Sequence, residues 1–145
     1  MKYYPLLFQL EARRCLIVGG GRVALRRSKT LLSAGAQVDV IAPAIAAELR
    51  QVLLESGGEL IEQPYSDALV TREYFCIIAA TDSAAVNQQV ADYARANKIP
   101  VNRADDRSLC DFIFPAVIDR GPITVAISNS GGSPVLSRIL KRQLN

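Results

Sequence analysis

Three glycines follow a short apolar run near the start of the chain. The stretch CLIVGGGRVA, residues 15–24, places four apolar residues before Gly19 and continues into a helical pattern. Strand, glycine turn and helix in this order are typical of proteins that hold the pyrophosphate of a dinucleotide. In this fingerprint Gly19 makes the turn, Gly21 lets phosphate approach the backbone, and Ala24 allows close packing of helix on strand. The residues therefore predict a dinucleotide site.

Proton chemistry at such a site needs a group other than histidine, because the chain has none. None of the five tyrosines is followed four residues later by lysine, which excludes the Tyr/Lys pair of short-chain dehydrogenases. A carboxylate can act as the base instead. Asp105 is the candidate because it follows the fifth predicted strand, at the edge where open α/β sheets bind ligands. Asp106 and Asp111 are alternatives, and on residue type alone Asp105 is more typical of a loop or cap.

The acidic residue that usually holds the adenosine ribose is absent from the end of the second predicted strand, which is Ile41-Ala42-Pro43. Backbone groups near Pro43 and Ala44 are the candidates to hold the ribose instead. Asp39 lies inside the strand, and we expect it to be solvated or on the outer face of the sheet. Arg22, at the helix start, fits a phosphate contact and a solvated surface charge equally well. The residues thus do not choose between NAD and NADP.

Strand-like runs and helical stretches alternate through the first hundred residues. This alternation implies right-handed crossovers and a parallel sheet covered on both faces, which is a Rossmann-type α/β fold. We predict strands at 15–18, 36–42, 59–63, 75–80 and 99–104, and helices at 23–33, at 43–56 and from the capping residues 81–83 to about 97.

The pattern changes after Asp111. Two apolar strands, 112–119 and 122–128, are followed by a glycine-rich loop and a helix that begins at Ser133-Pro134. This tail has too little core to be an independent domain, so we expect it to pack on its own copy in a homodimer. We therefore assign dinucleotide binding to residues 1–111 and dimerisation to residues 112–145.

Composition excludes several classes of protein. Half of the residues are hydrophobic and 21% are charged, which is typical of globular proteins and not of disordered ones. The net charge of +3 comes without a basic run, so we expect no nucleic-acid partner. No apolar segment approaches the roughly 20 residues of a membrane helix, and the N-terminus lacks the features of a signal peptide. Three separated cysteines without histidine predict reduced, mostly buried thiols of a cytoplasmic protein and no zinc site.

Five stretches, in the same order, resemble one family. They are YYPLLFQLEARRCLIVGGGRVALRR at the N-terminus, AATD at 79–82 with Asn87 beyond it, VNRADD at 101–106, FIFPAVIDRGPITVAIS, and SNSGGSPVLSRILKR. Together they cover nearly the whole chain. They resemble the bifunctional precorrin-2 dehydrogenase/sirohydrochlorin ferrochelatase family, which includes the N-terminal part of siroheme synthase.

The resemblance implies NAD as the cofactor, an intertwined homodimer and a tetrapyrrole substrate. It places the cofactor contacts on Gly21, Arg22 and Val23, on Pro43 and Ala44, and near Thr81, and it places the catalytic aspartate on Asp105. The activity implied is oxidation of precorrin-2 to sirohydrochlorin, with insertion of ferrous iron as the second activity of bifunctional members. Family members usually continue into a helical region that helps to cover the tetrapyrrole, and we expect that region to be absent from these 145 residues.

The carboxylates of a tetrapyrrole would suit a basic rim. Guanidinium groups pair with carboxylates, but for each candidate a solvated surface charge is the favoured interpretation. The candidates are Arg103, Arg107, Arg120, Arg138 and Lys141, with Ser130–Ser133 as an anion-binding loop or an ordinary helix cap. Two other functions remain open: a regulatory module that senses nicotinamide dinucleotide without catalysis, and an unrelated small-molecule dehydrogenase that would need a second, substrate-specific domain.

Overall fold

The computed structural model describes residues 1–129 and 134–145, and the chain divides into two compact units. The larger unit is Phe8–Asp111, and the smaller consists of Met1–Leu7 with Phe112–Asn145. The functions assigned above to residues 1–111 and 112–145 stay predictions.

The larger unit contains a five-stranded parallel sheet with the strand order β3-β2-β1-β4-β5. The predicted Rossmann-type α/β fold is confirmed. Because β1 is followed in sequence by β2 on one side and is paired with β4 on the other, the chain changes direction between β1 and β4, where such sheets bind ligands. The strands are β1 (Arg14–Val18), β2 (Gln37–Ile41), β3 (Leu60–Ile61), β4 (Cys76–Ala79) and β5 (Val101–Arg103).

Three helices connect these strands: α1 (Arg22–Ser33), α2 (Ala47–Ser56) and α3 (Ala84–Ala96). Single 3₁₀ turns at Asp67–Leu69 and Arg107–Leu109 were not predicted. The side chain of Ser83 caps α3, as the sequence indicates, by accepting a hydrogen bond from the Val86 amide. Alternate residues of the strands share a buried cluster with α3: Leu16, Val18, Ile77, Ala79, Val90, Ala91, Ala94 and Val101.

The second helix begins later than predicted. Residues 43–46 are not helical, because Ala46 has the extended angles φ −58° and ψ 142° and the helix starts only at Ala47. The Ala46 amide instead donates a hydrogen bond to the carbonyl oxygen of Gly20 at 2.9 Å. A contact with the glycine turn, distant in sequence, thus overrides local helix propensity at these residues.

The expectation that Asp39 is solvated or on an outer face is wrong. Asp39 is fully buried in β2, because a parallel sheet covered on both faces offers no solvated position in a central strand. Its carboxylate accepts hydrogen bonds from the Arg14 guanidinium, the Tyr74 hydroxyl and the Glu59 amide, each at 2.9 Å. A buried charge needs such partners. Through them, Asp39 in β2 is joined to β1, to the residue before β3, and to Tyr74, which lies two residues before β4.

Replacing Tyr74 with phenylalanine is expected to lower the free energy of unfolding by about 1.5–3 kcal/mol, because the buried carboxylate loses a hydrogen bond. Urea denaturation measures this change. Tyr65→Phe is the matched control, since the Tyr65 hydroxyl makes a bond of the same length, 2.9 Å, to the carboxylate of Asp67 at an exposed position. Equal losses in the two variants would contradict the role assigned to burial.

The smaller unit contains an antiparallel hairpin, β6 (Ala116–Arg120) and β7 (Ile123–Ile127), and a helix, α4 (Pro134–Leu144). The first strand begins later than the predicted residue 112, after Pro115, which has no amide hydrogen to donate to a ladder. The predicted loop Ser130–Ser133 lies outside the described residues. Among the residues that are described, no helix is long and apolar enough to cross a membrane.

Candidate functional site

The three glycines after β1 have different surroundings. Gly19 has a φ of +140°, and a Cβ at Gly19 would overlap the backbone of Ala80. A Cβ at Gly20 would overlap the carbonyl group of Ala44, whereas a Cβ at Gly21 would meet no atom of the described residues within 4 Å. The first two glycines are therefore required by neighbouring backbone, and the third borders open space.

The loop between β2 and α2 lies beside this turn. Gly19 donates a hydrogen bond to the carbonyl oxygen of Ile41 at 2.9 Å, and the Ala46 amide bonds to Gly20. Pro43 and Ala44, the residues predicted to hold the ribose, are exposed at this position. The structure thus brings the predicted ribose loop and the glycine turn together.

Helix α1 begins directly after the turn, with Gly21 as its N-cap. Within residues 1–129 and 134–145, no side chain caps this helix, and its first turn holds no acidic residue. Its first amides consequently lack intrahelical partners and favour an anion. Arg22 is exposed, Val23 is half-buried and Ala24 is fully buried, which leaves Arg22 and Val23 next to the open space at Gly21 and Ala24 in the core.

Thr81 lies two residues after β4, next to the glycine turn in the strand order. The buried Asn87 of α3 holds it. The Asn87 Oδ1 atom accepts hydrogen bonds from the Thr81 amide at 3.1 Å and from the Thr81 hydroxyl at 2.7 Å, and its Nδ2 atom donates to the Thr81 carbonyl at 3.1 Å. These three bonds fix the loop after β4 to the first half of α3.

Asp105 lies two residues after β5, at the same edge of the sheet. Its side chain is 30% exposed and accepts hydrogen bonds from the Arg103 guanidinium at 2.9 and 3.1 Å. Contact with Arg103, and a further hydrogen bond from Asn87, hold the pKa of Asp105 below its usual value, although burial acts in the opposite direction. Asp105 is therefore ionised at neutral pH, which is the state a general base requires.

The two alternative carboxylates bond to backbone. Asp106 accepts a hydrogen bond from the Ser108 amide at 3.0 Å and so caps the 3₁₀ turn at Arg107–Leu109. Asp111 accepts one from the amide of Val101 at 2.9 Å, at the start of β5. Both arrangements are typical of structural roles, and Asp105 stays the predicted general base.

Comparison with known proteins agrees with this geometry. Residues 6–116 match a family model described as putative NAD(P)-binding. Siroheme synthase of Pseudomonas paraeruginosa is 45% identical over 99% of this chain and 31% of its own length, and that of Psychrobacter arcticus is 48% identical over 99% and 26%. A solved structure of a precorrin-2 dehydrogenase has a TM-score of 0.81 and 32% identity, over 98% of this chain and 69% of its own.

The chain belongs to the precorrin-2 dehydrogenase family. It spans less than a third of the length of the two siroheme synthases.

The residues present fit the dinucleotide that this family's NAD(P)-binding match implies. Open space at Gly21 leaves room for a phosphate against the backbone, and the uncapped start of α1 supplies amides and a favourable dipole. Asp39 cannot serve as the ribose acid, because its carboxylate is buried and bonded to Arg14 and Tyr74. The exposed loop at Pro43 and Ala44 stays the predicted contact for the ribose.

The expectation that Arg103 is a solvated surface charge is wrong. Its side chain is only 5% exposed, because it is the last residue of β5 and its guanidinium is bonded to Asp105 and Gln88. Arg107 is exposed near Asp105, while Arg120 bonds to Asn145 and Arg138 to the carbonyl of Pro134 in the smaller unit. Lys141 lies half-buried on α4. In the described part of the chain, no group of three or more metal-binding side chains occurs.

Sequence reasoning missed two features of the site. Gly20 is the glycine on which the ribose loop packs, yet the fingerprint assigns roles only to Gly19 and Gly21. Asn87, noted only within a family motif, joins Thr81 to the neighbourhood of Asp105. A buried polar residue on the inner face of a predicted helix is the signal that could have identified it.

Proposed function

We propose that this chain oxidises precorrin-2 to sirohydrochlorin, with NAD as the hydride acceptor and Asp105 as the general base. The observation that carries the proposal is the position of an ionised carboxylate, paired with the buried Arg103, at the ligand-binding edge of the sheet. The alternative of a sensing module without catalysis is not favoured, because the relatives are enzymes of tetrapyrrole metabolism.

The overall reaction converts precorrin-2 and NAD⁺ into sirohydrochlorin, NADH and one proton. Bound NAD supplies the acceptor for a hydride from a ring carbon of the substrate. The backbone at Gly21, Arg22 and Val23 holds the pyrophosphate, while Pro43, Ala44 and Thr81 flank the rest of the cofactor. Asp105 accepts the proton that becomes acidic as conjugation extends, so histidine is not required. The same carboxylate would take up pyrrole protons when ferrous iron, as a second substrate, enters the macrocycle.

Incubating this chain with precorrin-2 and NAD tests the proposal. We expect NADH and sirohydrochlorin to form in equal amounts, followed by their separate absorbances. NAD binding without turnover of precorrin-2 would instead identify the sensing module. The three free thiols fit a reducing compartment, and we place the reaction in the cytoplasm.

We also propose that the smaller unit forms a homodimer. Apolar side chains are exposed along one stripe of α4, where Val135, Leu136, Ile139 and Leu140 are 38–52% exposed, and on the hairpin, where Ile123 is 62% exposed. Such a surface is typical of a protein interface.

The wild-type chain is expected to sediment as a dimer at micromolar concentration. Leu136→Glu should shift it to a monomer, because a charge would be buried in the interface. Gln143→Glu adds the same charge to an exposed position of α4 and should leave the dimer intact. A wild-type monomer at that concentration would refute the dimer.

A further inference from the structure

Arg103 is a buried arginine whose three guanidinium nitrogens are all bonded within the larger unit. Nε and Nη2 donate to the two carboxylate oxygens of Asp105 at 3.1 and 2.9 Å, and Nη1 donates to the Oε1 atom of Gln88 at 2.6 Å. A guanidinium in this two-point geometry fixes the plane of the carboxylate as well as its position. The rotation of the Asp105 side chain is thereby restricted.

The backbone of Arg103 is held as firmly as its side chain. Arg103 pairs with Ala79 in the sheet, and the next amide, that of Ala104, donates to the Ala79 carbonyl oxygen at 2.9 Å. On the other side, the sulfur of Cys110 accepts a hydrogen bond from the Arg103 amide at 3.1 Å and contacts its carbonyl oxygen at 3.2 Å. The arginine is part of the rigid sheet, whereas Asp105 belongs to the loop that follows.

Few other charged groups lie near the ion pair of Arg103 and Asp105. From the loop and the 3₁₀ turn, the titratable neighbours are Asp106, Arg107 and Cys110; Arg107 is exposed, and burial raises the pKa of the Cys110 thiol, which is therefore neutral. From α3, the neighbours are the uncharged Asn87 and Gln88. Arg103 is thus the main influence on the charge state of Asp105.

We propose that Arg103 is a positioning residue for the catalytic carboxylate: anchored on β5 and Gln88, it holds Asp105 oriented toward the bound substrate. This inference rests on the proposed role of Asp105. The guanidinium takes up one acceptor site on each carboxylate oxygen, which leaves the other sites for Asn87 and a substrate proton. Arg103 touches neither substrate nor cofactor in this proposal and acts only through Asp105.

Two substitutions separate the charge of Arg103 from its geometry. Arg103→Gln removes both, so the pKa of Asp105 should rise. Arg103→Lys keeps the charge without the two-point contact, so the pKa should stay low. In both variants kcat at neutral pH should fall, by up to about 100-fold for a carboxylate displaced by about 1 Å, while KM for precorrin-2 and the affinity for NAD stay close to wild type.

Carbon-detected NMR of the Asp105 carboxyl group, recorded on the whole chain without substrate, measures the titration directly. The pH profile of kcat provides a second measurement. Activity falls at low pH, where Asp105 becomes protonated. A raised pKa should therefore move this acid limb to higher pH in Arg103→Gln, whereas Arg103→Lys should leave it in place. Arg50→Gln is the control, since it removes the same charge from an exposed ion pair with Glu62. It should leave the Asp105 titration unchanged.

The outcomes distinguish this inference from the proposed function. An unchanged Asp105 titration in Arg103→Gln, while wild type is active, would overturn the positioning role. Gln88→Ala provides a milder test if Arg103→Gln does not fold, because it loosens the guanidinium without removing its charge, and it should lower kcat without moving the acid limb. A wild-type rate in Gln88→Ala would count against positioning. A wild-type chain that does not oxidise precorrin-2 would refute the proposed function, whereas the NMR titration would still report whether Arg103 controls Asp105.

Discussion

Replacing Gly21 with aspartate is expected to lower the affinity for NAD by at least about 100-fold, since a like charge set against the pyrophosphate costs several kcal/mol. The stability of the fold should be unchanged or higher. Gly21 is the N-cap of α1, where aspartate is a favoured residue and its charge suits the helix dipole. Its backbone is extended, with φ −101°, and its Cβ position is open. NAD binding should therefore weaken without any loss of stability, as measured by calorimetric titration and thermal unfolding.

Two further variants identify the cause of that loss. Gly21→Asn adds nearly the same bulk without the charge, so the difference between the two variants isolates electrostatic repulsion from steric exclusion. Gln63→Glu adds a negative charge to an exposed loop residue and should bind NAD as wild type does. Unchanged affinity in Gly21→Asp would show that phosphate does not lie at this helix start.

Gly19 and Gly20 cannot be used for the same test. A side chain at either position would collide with backbone, at Ala80 or Ala44 respectively, so loss of binding would be inseparable from loss of structure. The sequence fingerprint does not distinguish these cases. It correctly places a glycine turn after a buried strand, but which glycine faces a ligand depends on the loops of β2 and β4, which the motif does not contain.

The alternation of apolar runs and helical stretches was sufficient to predict the parallel sheet, because each run is short, continuous and separated by a crossover of helical length. It could not predict whether charged residues within strands or at their ends are buried or exposed. Asp39 and Arg103 were both expected in solvated positions. Each is buried by partners that include residues distant in sequence: Tyr74 lies 35 positions from Asp39, and Gln88 lies 15 positions from Arg103.

The predicted start of the second helix was wrong for a related reason. Residues 43–46 have a sequence compatible with helix, yet the Ala46 amide bonds to the Gly20 carbonyl, and the helix starts at Ala47. That the loops of the candidate site meet could be predicted, since the carboxyl ends of parallel strands lie at one edge of the sheet. The links among those loops, through Asn87 and Arg103, required side-chain positions that no spacing rule supplies.

Replacing Asp105 with asparagine is expected to lower kcat for precorrin-2 oxidation by about 10²–10⁴-fold, which is the usual contribution of a positioned acid or base. Asparagine keeps the size of the side chain and one accepting oxygen but is not basic. NAD affinity should be nearly unchanged, because the predicted pyrophosphate site is after β1 and not after β5. Steady-state kinetics and calorimetric titration measure the two effects.

Asp106→Asn and Asp111→Asn are the matched controls. Their carboxylates accept hydrogen bonds from the backbone amides of Ser108 and Val101, and an asparagine oxygen can accept the same bonds. Both variants should therefore fold and retain activity. A wild-type rate in Asp105→Asn with a loss in either control would move the catalytic role to that carboxylate. Wild-type rates in all three would refute a carboxylate mechanism.

The substitution Asp105→Asn also affects Arg103, the ion-pair partner of Asp105. The substitution leaves the buried Arg103 guanidinium without a counter-charge, and an unpaired buried charge is costly, so lower activity could arise from a disturbed fold. The double variant Arg103→Gln/Asp105→Asn removes both charges and should recover thermal stability relative to Asp105→Asn. Because it still lacks a base, its kcat should remain as low as that of Asp105→Asn. Recovery of activity together with stability would mean that Asp105 serves only to neutralise Arg103, and that another group takes the proton.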